Sequence, residues 1–125
     1  MQQVHVGPFI NFQGRAREAM ELYQRALGGE VQVQEDAGRV NYARLDVDGT
    51  AIVGSDGHPN YPPTVGDNIA VALSGQDRDR LTRAFDTLAE GGQVKGRLRQ
   101  QGPGAEVGYL LDRFGINWVI SIQAG

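Results

Sequence analysis

Two short segments carry the side chains best suited to chemistry. In Tyr42-Ala43-Arg44-Leu45 and in Asn117-Trp118-Val119-Ile120-Ser121-Ile122-Gln123, polar and apolar residues alternate. Successive side chains of a strand point to opposite faces. Tyr42 and Arg44 therefore share one face of their strand, and Asn117, Val119, Ser121 and Gln123 share one face of theirs. Over Asn68–Leu73 the same parity separates Asn68, Ala70 and Ala72 from Ile69, Val71 and Leu73. The apolar faces are expected to pack beneath helices. The mixed faces combine small apolar residues with a few fixed polar ones, as small-ligand pockets do. Arg44 offers paired donors to a carboxylate or phosphate, and Tyr42 offers a ring face and a hydroxyl. The same two residues also suit a surface arginine and a structural tyrosine. Trp118 reads as core before stacking platform.

Other chemistries find little purchase. His58 sits in the turn-rich Gly57-His58-Pro59-Asn60, and His5 sits beside Val4 and Val6 on a first strand expected over Val4 to Phe12, where Pro8 demands an edge or an irregularity. No serine, histidine and acid stand at a spacing that recommends a nucleophilic triad. Cysteine is absent, which removes disulfides and thiolate metal sites. Gly28-Gly29 end a helix instead of opening one, so they are no phosphate loop. Ser55-Asp56 closes the fourth strand, where a side chain capping the following loop accounts for it.

The elements that must position these residues follow from periodicity. Ala16, Ala19, Met20, Tyr23 and Leu27 form one helical stripe, stopped by Gly28-Gly29. Strands are expected at Glu30–Glu35, Val40–Val47 and Thr50–Gly54, joined by turns at Asp36-Ala37-Gly38 and Asp48-Gly49. The stretch 57–67, rich in proline and glycine, reads as a linker. A second strand, helix and three strands then follow: Asn68–Leu73, Asp77–Ala89 (with Leu81, Ala84, Phe85 and Leu88 inward), Gln93–Gln100, Glu106–Leu111 and Ile116–Ile122.

This is one unit written twice. Gly28-Gly29 matches Gly91-Gly92 at an offset of 63, and Leu45-Asp46, Gly49 and Val53 match Leu111-Asp112, Gly115 and Val119 at an offset of 66. Repetition of this kind decides the architecture. The expected fold is α+β, a single domain of 125 residues with module one at 4–56, the linker at 57–67 and module two at 68–123.

Bulk properties narrow the partners. Twelve basic residues against 15 acidic ones give a net charge of −3, and Lys95, Arg97 and Arg99 alternate with Gly96 and Leu98 as one solvated strand face. Nucleic-acid binding would need a larger basic field, so no nucleic acid is expected. No apolar run approaches a membrane span, and the amino terminus lacks a signal-peptide pattern. The expected setting is cytoplasmic, without a membrane partner.

Asn11-Phe12, Arg17-Glu18-Ala19 with Tyr23, Leu27-Gly28-Gly29, Ala43-Arg44-Leu45, Ser55-Asp56 and Phe114-Gly115-Ile116-Asn117-Trp118 resemble the PhnB-like branch of the vicinal-oxygen-chelate superfamily, which includes glyoxalases, extradiol dioxygenases and bleomycin-resistance proteins. The resemblance spans about Pro8 to Gln123. It implies paired βαβββ modules whose mixed sheets curl around a small-molecule cup, one helix on the convex side of each, and commonly a homodimer. Catalytic relatives hold a divalent ion with four ligands, at positions that similar sequences place at Pro8, Val53, Asn68 and Val119. Proline and valine give a metal nothing, and Asn68 supplies one neutral oxygen. A canted set of His5, Tyr42 and Gln123 is the alternative.

The resemblance implies a small-molecule ligand in a cup; this chain's departure from the metal pattern leaves the cup without metal or cofactor, and strand parity lines it with Tyr42, Arg44, Asn68, Asn117, Ser121 and Gln123. Whether a reaction occurs is left open. The alternatives are a metal-dependent lyase, isomerase or dioxygenase, and an antibiotic-sequestering protein. A ubiquinone methyltransferase finds no support, because no glycine-rich nucleotide motif follows a strand.

Overall fold

The computed structural model describes residues 3–124. The chain divides into two compact units, Met1–Gln24 with Gly28–Pro63, and Arg25–Leu27 with Thr64–Gly125. Elements run β1 (Phe9–Asn11), α1 (Ala16–Leu27), β2 (Glu30–Asp36), β3 (Arg39–Val47), β4 (Thr50–Ser55), β5 (Ala70–Gly75), α2 (Arg78–Leu88), β6 (Gln93–Gln100), β7 (Ala105–Leu111) and β8 (Asn117–Gln123). The two sheets have the orders β1-β4-β3-β2 and β5-β8-β7-β6. Each joins its first and last strands in parallel and the rest antiparallel. The α+β reading and the repeated βαβββ order hold.

Two strand starts differ from expectation. Regular structure begins at Phe9, not Val4, and His5 lies in the exposed stretch before it. β5 begins at Ala70, so Ile69 does not reach the core and is 81% exposed. For β5 the reason is the partner: β8 begins at Asn117, opposite Ala70, so nothing pairs with Ile69. For β1 it is Pro8, which has no N–H to give a ladder although β4 runs back to Thr50.

In the first unit Phe12, Ala43, Leu45 and Ile52 are buried together with the stripe Ala16, Ala19, Met20 and Tyr23 of α1. Phe12 contacts Tyr23 with ring centroids 5.8 Å apart. It also occupies the space above Gly54, where a Cβ would come 2.3 Å from Phe12 Cε2. The helix has no capping side chain of its own at Arg15. Asp56 supplies one from across the unit: Ala16 N–H donates to its Oδ1 and Val40 N–H to its Oδ2, both at 2.9 Å. The carboxylate satisfies a free helix-end donor and ties β3 to the end of β4. Helix α2 uses its own N-cap, Asp77, which accepts from Arg80 N–H.

In the second unit α2 lies against β5, β7 and β8, with Leu81, Ala84, Phe85 and Leu88 buried. Gly108 repeats the part of Gly54, since a Cβ there would lie 2.7 Å from Phe85 Cε2. The helix-to-strand entries also match. A Cβ on Gly29 would sit 2.1 Å from the Asp46 carbonyl oxygen, and one on Gly92 would sit 2.1 Å from that of Leu111.

That last pair exposes a slip in the repeat. The counterpart of Asp46 is Leu111, an offset of 65, not Asp112. The registers agree, because Arg44 pairs with Val53 and Tyr109 pairs with Val119. The first hairpin turns on two residues, Asp48 and Gly49, both with positive φ (47° and 84°), the twist-matched tight turn. The second needs five, 112–116. Asp112 organises them from a buried position, accepting Phe114 N–H and Ile116 N–H on Oδ1 and the Trp118 indole N–H on Oδ2. Trp118 is therefore core.

Replacing Asp112 by Ala strips three donors of their acceptor, and hydrogen bonds to charged groups are worth about 1.5–3 kcal/mol each. Urea unfolding followed by Trp118 fluorescence is expected to show a loss of at least about 3 kcal/mol. Gly108→Ala is expected to lose about 1–3 kcal/mol by overpacking against Phe85, and Gly115→Ala less, since nothing lies within 4 Å of its Cβ position.

Candidate functional site

Each sheet buries one face and leaves the other partly exposed, with no helix over it among the described residues, and the second face carries the polar residues. In the first sheet one row runs Phe9, Val53, Arg44, Gln32 across β1, β4, β3 and β2, and the next runs Ala51, Asp46, Glu30. Tyr42 stands opposite Gln34, and Asn11 opposite Ser55. In the second sheet the matching rows are Ala72, Val119, Tyr109, Gly96 and then Ala70, Asn117, Leu111, Gln93. A third row holds Ser74, Ser121, Val107 and Arg99.

Of the six residues expected to line a ligand site, the first sheet brings Tyr42 and Arg44 together on its uncovered face, and the second brings Asn117 and Ser121 together on its own. Gln123 is at the exposed end of β8, opposite Ala105. Asn68 falls outside β5 and is exposed. Ala72, not Asn68, stands beside Val119. The correction has the same cause as Ile69: strand parity was right, but the strand starts later.

Arg44 is not a free cation. Its Nε–H donates to Asp46 Oδ1 at 2.8 Å, with both side chains about two-fifths exposed. Hydrogen bonding to Tyr42 and then to Asp46 holds the guanidinium pKa above its ordinary value. The positive charge of Arg44 is thus already met by a carboxylate on the same strand. Asn11 is also committed, since its Oδ1 accepts from Gln13 N–H. Ser55 Oγ accepts from Gly57 N–H, and with Asp56 this gives Ser55-Asp56 a structural task. His58 is exposed; its Nδ1 accepts from Asn60 N–H and its ring meets Tyr61.

The donors do not fit a divalent ion. Of the four expected positions, Pro8 lends only its carbonyl, to Val53 N–H, Val53 and Val119 are hydrocarbon, and Asn68 is exposed outside β5. The strand partners Phe9 and Ala72 are hydrocarbon too. Among the described residues no three His, Cys, Asp or Glu side chains gather as a metal would require.

Sequence reasoning missed Tyr109 as the counterpart of Arg44. It also took Lys95, Arg97 and Arg99 as a simple alternating face, whereas β6 is irregular between Val94 and Gly96 and again between Gly96 and Arg99. Nothing local to the sequence marks those breaks beyond Gly96.

The fold is that of a two-module protein of the glyoxalase/bleomycin-resistance type. The chain belongs to the PhnB-like family whose model is described as 3-demethylubiquinone-9 3-methyltransferase, which matches residues 4–121. It is similar to the crystal structure of protein PA1353 from Pseudomonas aeruginosa, with 30% identity, TM-score 0.88, and coverage of 98% of this chain and 100% of that one. Protein YjdN of Escherichia coli K12 is 22% identical, with 94% of each chain covered. A glyoxalase/bleomycin resistance protein from Albidiferax ferrireducens shares the fold, with TM-score 0.64 and 13% identity over 92% of this chain and 93% of that one.

The Arg44–Asp46 pair is half exposed, and such pairs add little to stability. Arg44→Ala is expected to leave the urea midpoint within error, whereas Asp56→Ala is expected to lower stability by about 2 kcal/mol through the lost cap.

Proposed function

We propose that this chain is a single domain of two modules that binds a small organic molecule through side-chain hydrogen bonds and apolar contact, without a metal. One observation supports the reading: the paired positions Phe9–Val53 on one sheet and Ala72–Val119 on the other are hydrocarbon, with Tyr42 and Arg44 on the first sheet's uncovered face and Asn117 and Ser121 on the second's. A cytoplasmic homodimer is the expected setting, and no helix among the described residues is long and apolar enough to cross a membrane.

The methyltransferase wording of the family model brings no step with it. Nucleotide-type cofactors are held by glycine-rich turns at the carboxyl ends of mainly parallel sheets, and each sheet here has a single parallel pair.

Elemental analysis of the purified protein, joined to a thermal-shift screen of small organic molecules with bleomycin as a cationic arm, tests the reading. Substoichiometric metal is expected, with ligand-induced shifts of the melting temperature that EDTA does not abolish. Stoichiometric iron, zinc, nickel or manganese whose removal erases those shifts would replace this reading by a metal-dependent one. A response to bleomycin alone would replace it by antibiotic sequestration.

A further inference from the structure

Lys95 crosses the uncovered face of the second sheet. Its Nζ donates to Asn117 Oδ1 at 3.1 Å, although β7 separates β6 from β8. Strands lie about 4.8 Å apart, so the two side chains and the bond between them together bridge roughly 10 Å of sheet. An ammonium has three donors, and this bond uses one. By accepting it, the Asn117 amide oxygen leaves the amide NH2 to point at a second acceptor.

Arg99 reaches the same face, in the row of Val107 and Ser121. Tyr109 lies between the two cations. A Cβ at Gly96 would come 3.2 Å from Tyr109 Cδ2, so the ring leans over Gly96 on the stretch of β6 that separates Lys95 from Arg99. It is 42% exposed.

The charge on this face is unbalanced. The rows given above place no carboxylate on it. Glu106 has the opposite parity and pairs with Arg78 of α2. Among the described residues neither Lys95 nor Arg99 enters an ion pair, in contrast to Arg44 with Asp46. Two cations, an amide donor and the Ser121 hydroxyl beside Ala72 and Val119 make a surface that attracts an anion with an apolar body.

We infer that the uncovered face of the second sheet is an anion subsite, where Lys95 and Asn117 hold the carboxylate or phosphate of a small organic ligand whose apolar body rests on Tyr109 and Val119, with Arg99 adding positive charge beyond the ring. This rests on the small-molecule reading above and names its ligand class. It also moves the anion anchor from Arg44, where the strand pattern suggested it, to the other module.

Two-dimensional 1H–15N spectra of the full chain, titrated with benzoate, inorganic phosphate and benzyl alcohol, test the inference. Benzoate is expected to shift the amides around Lys95, Tyr109 and Asn117, phosphate the same amides more weakly, and benzyl alcohol least. Lys95→Ala is expected to raise the benzoate Kd about tenfold, as loss of one charge-assisted bond would, with Lys95→Arg recovering part of it. Arg83→Ala, an equal charge change on an exposed turn of α2, is expected to leave the Kd unchanged.

Equal weakening by Lys95→Ala and Arg83→Ala overturns the inference, as does a benzoate response centred on Tyr42 and Arg44. Benzyl alcohol binding as tightly as benzoate overturns the anion assignment but leaves small-molecule binding standing. If none of the three probes moves a sheet amide while neutral molecules respond in the thermal screen, the inference alone falls. Silence in both experiments removes both.

Discussion

A single helix is about 10 Å across, and a four-stranded sheet is wider than that on either side. Each module here has one helix to one sheet, so one face is buried and the other is left to different chemistry. The alternation of side chains along the strands assigns the faces. Ala43, Leu45 and Ile52 in one module, and Leu110, Trp118, Ile120 and Ile122 in the other, fill the buried side. Where the contact is tightest, glycine is required. Gly54 admits the ring of Phe12, and Gly108 admits that of Phe85. Once those layers are filled, Tyr42, Arg44, Asn117 and Ser121 have no place except on the uncovered faces.

The modules share topology and close contacts but not details of construction. Helix α1 borrows its cap from Asp56, 40 residues away in sequence, while α2 brings its own in Asp77. The first hairpin closes on two residues with backbone conformation alone. The second is larger by three and spends a buried carboxylate on holding itself together. Its extra length shifts the equivalence of β3 and β7 by one residue. That shift sets Tyr109, not a core leucine, opposite Val119 in the place that Arg44 holds opposite Val53.

The divergence reaches the charge of the two faces. In the first module Arg44 is neutralised by Asp46, and β2 adds Glu30 to the same side. In the second the corresponding positions are Tyr109 and Leu111, and the carboxylate of the strand, Glu106, is turned toward α2. Two modules of one topology thus present a neutral-to-acidic surface and a basic one, a difference that follows from register as much as from residue type.

Local patterns determined much of this. Helical spacing marks α1 and α2, Asp48-Gly49 marks a tight hairpin, and two-residue alternation separates Tyr42 and Arg44 from Ala43 and Leu45, because each depends only on near neighbours along the chain. Matched glycine pairs reveal the repeat for the same reason. The start of β5 was decided by how far its partner β8 extends, which left Ile69 and Asn68 outside. The one-residue slip, the breaks in β6 and the reach of Lys95 to Asn117 were decided by pairing between strands distant in sequence. Those are tertiary facts: spacing fixes which side of a strand a residue occupies, and only the assembled sheet fixes what stands opposite it.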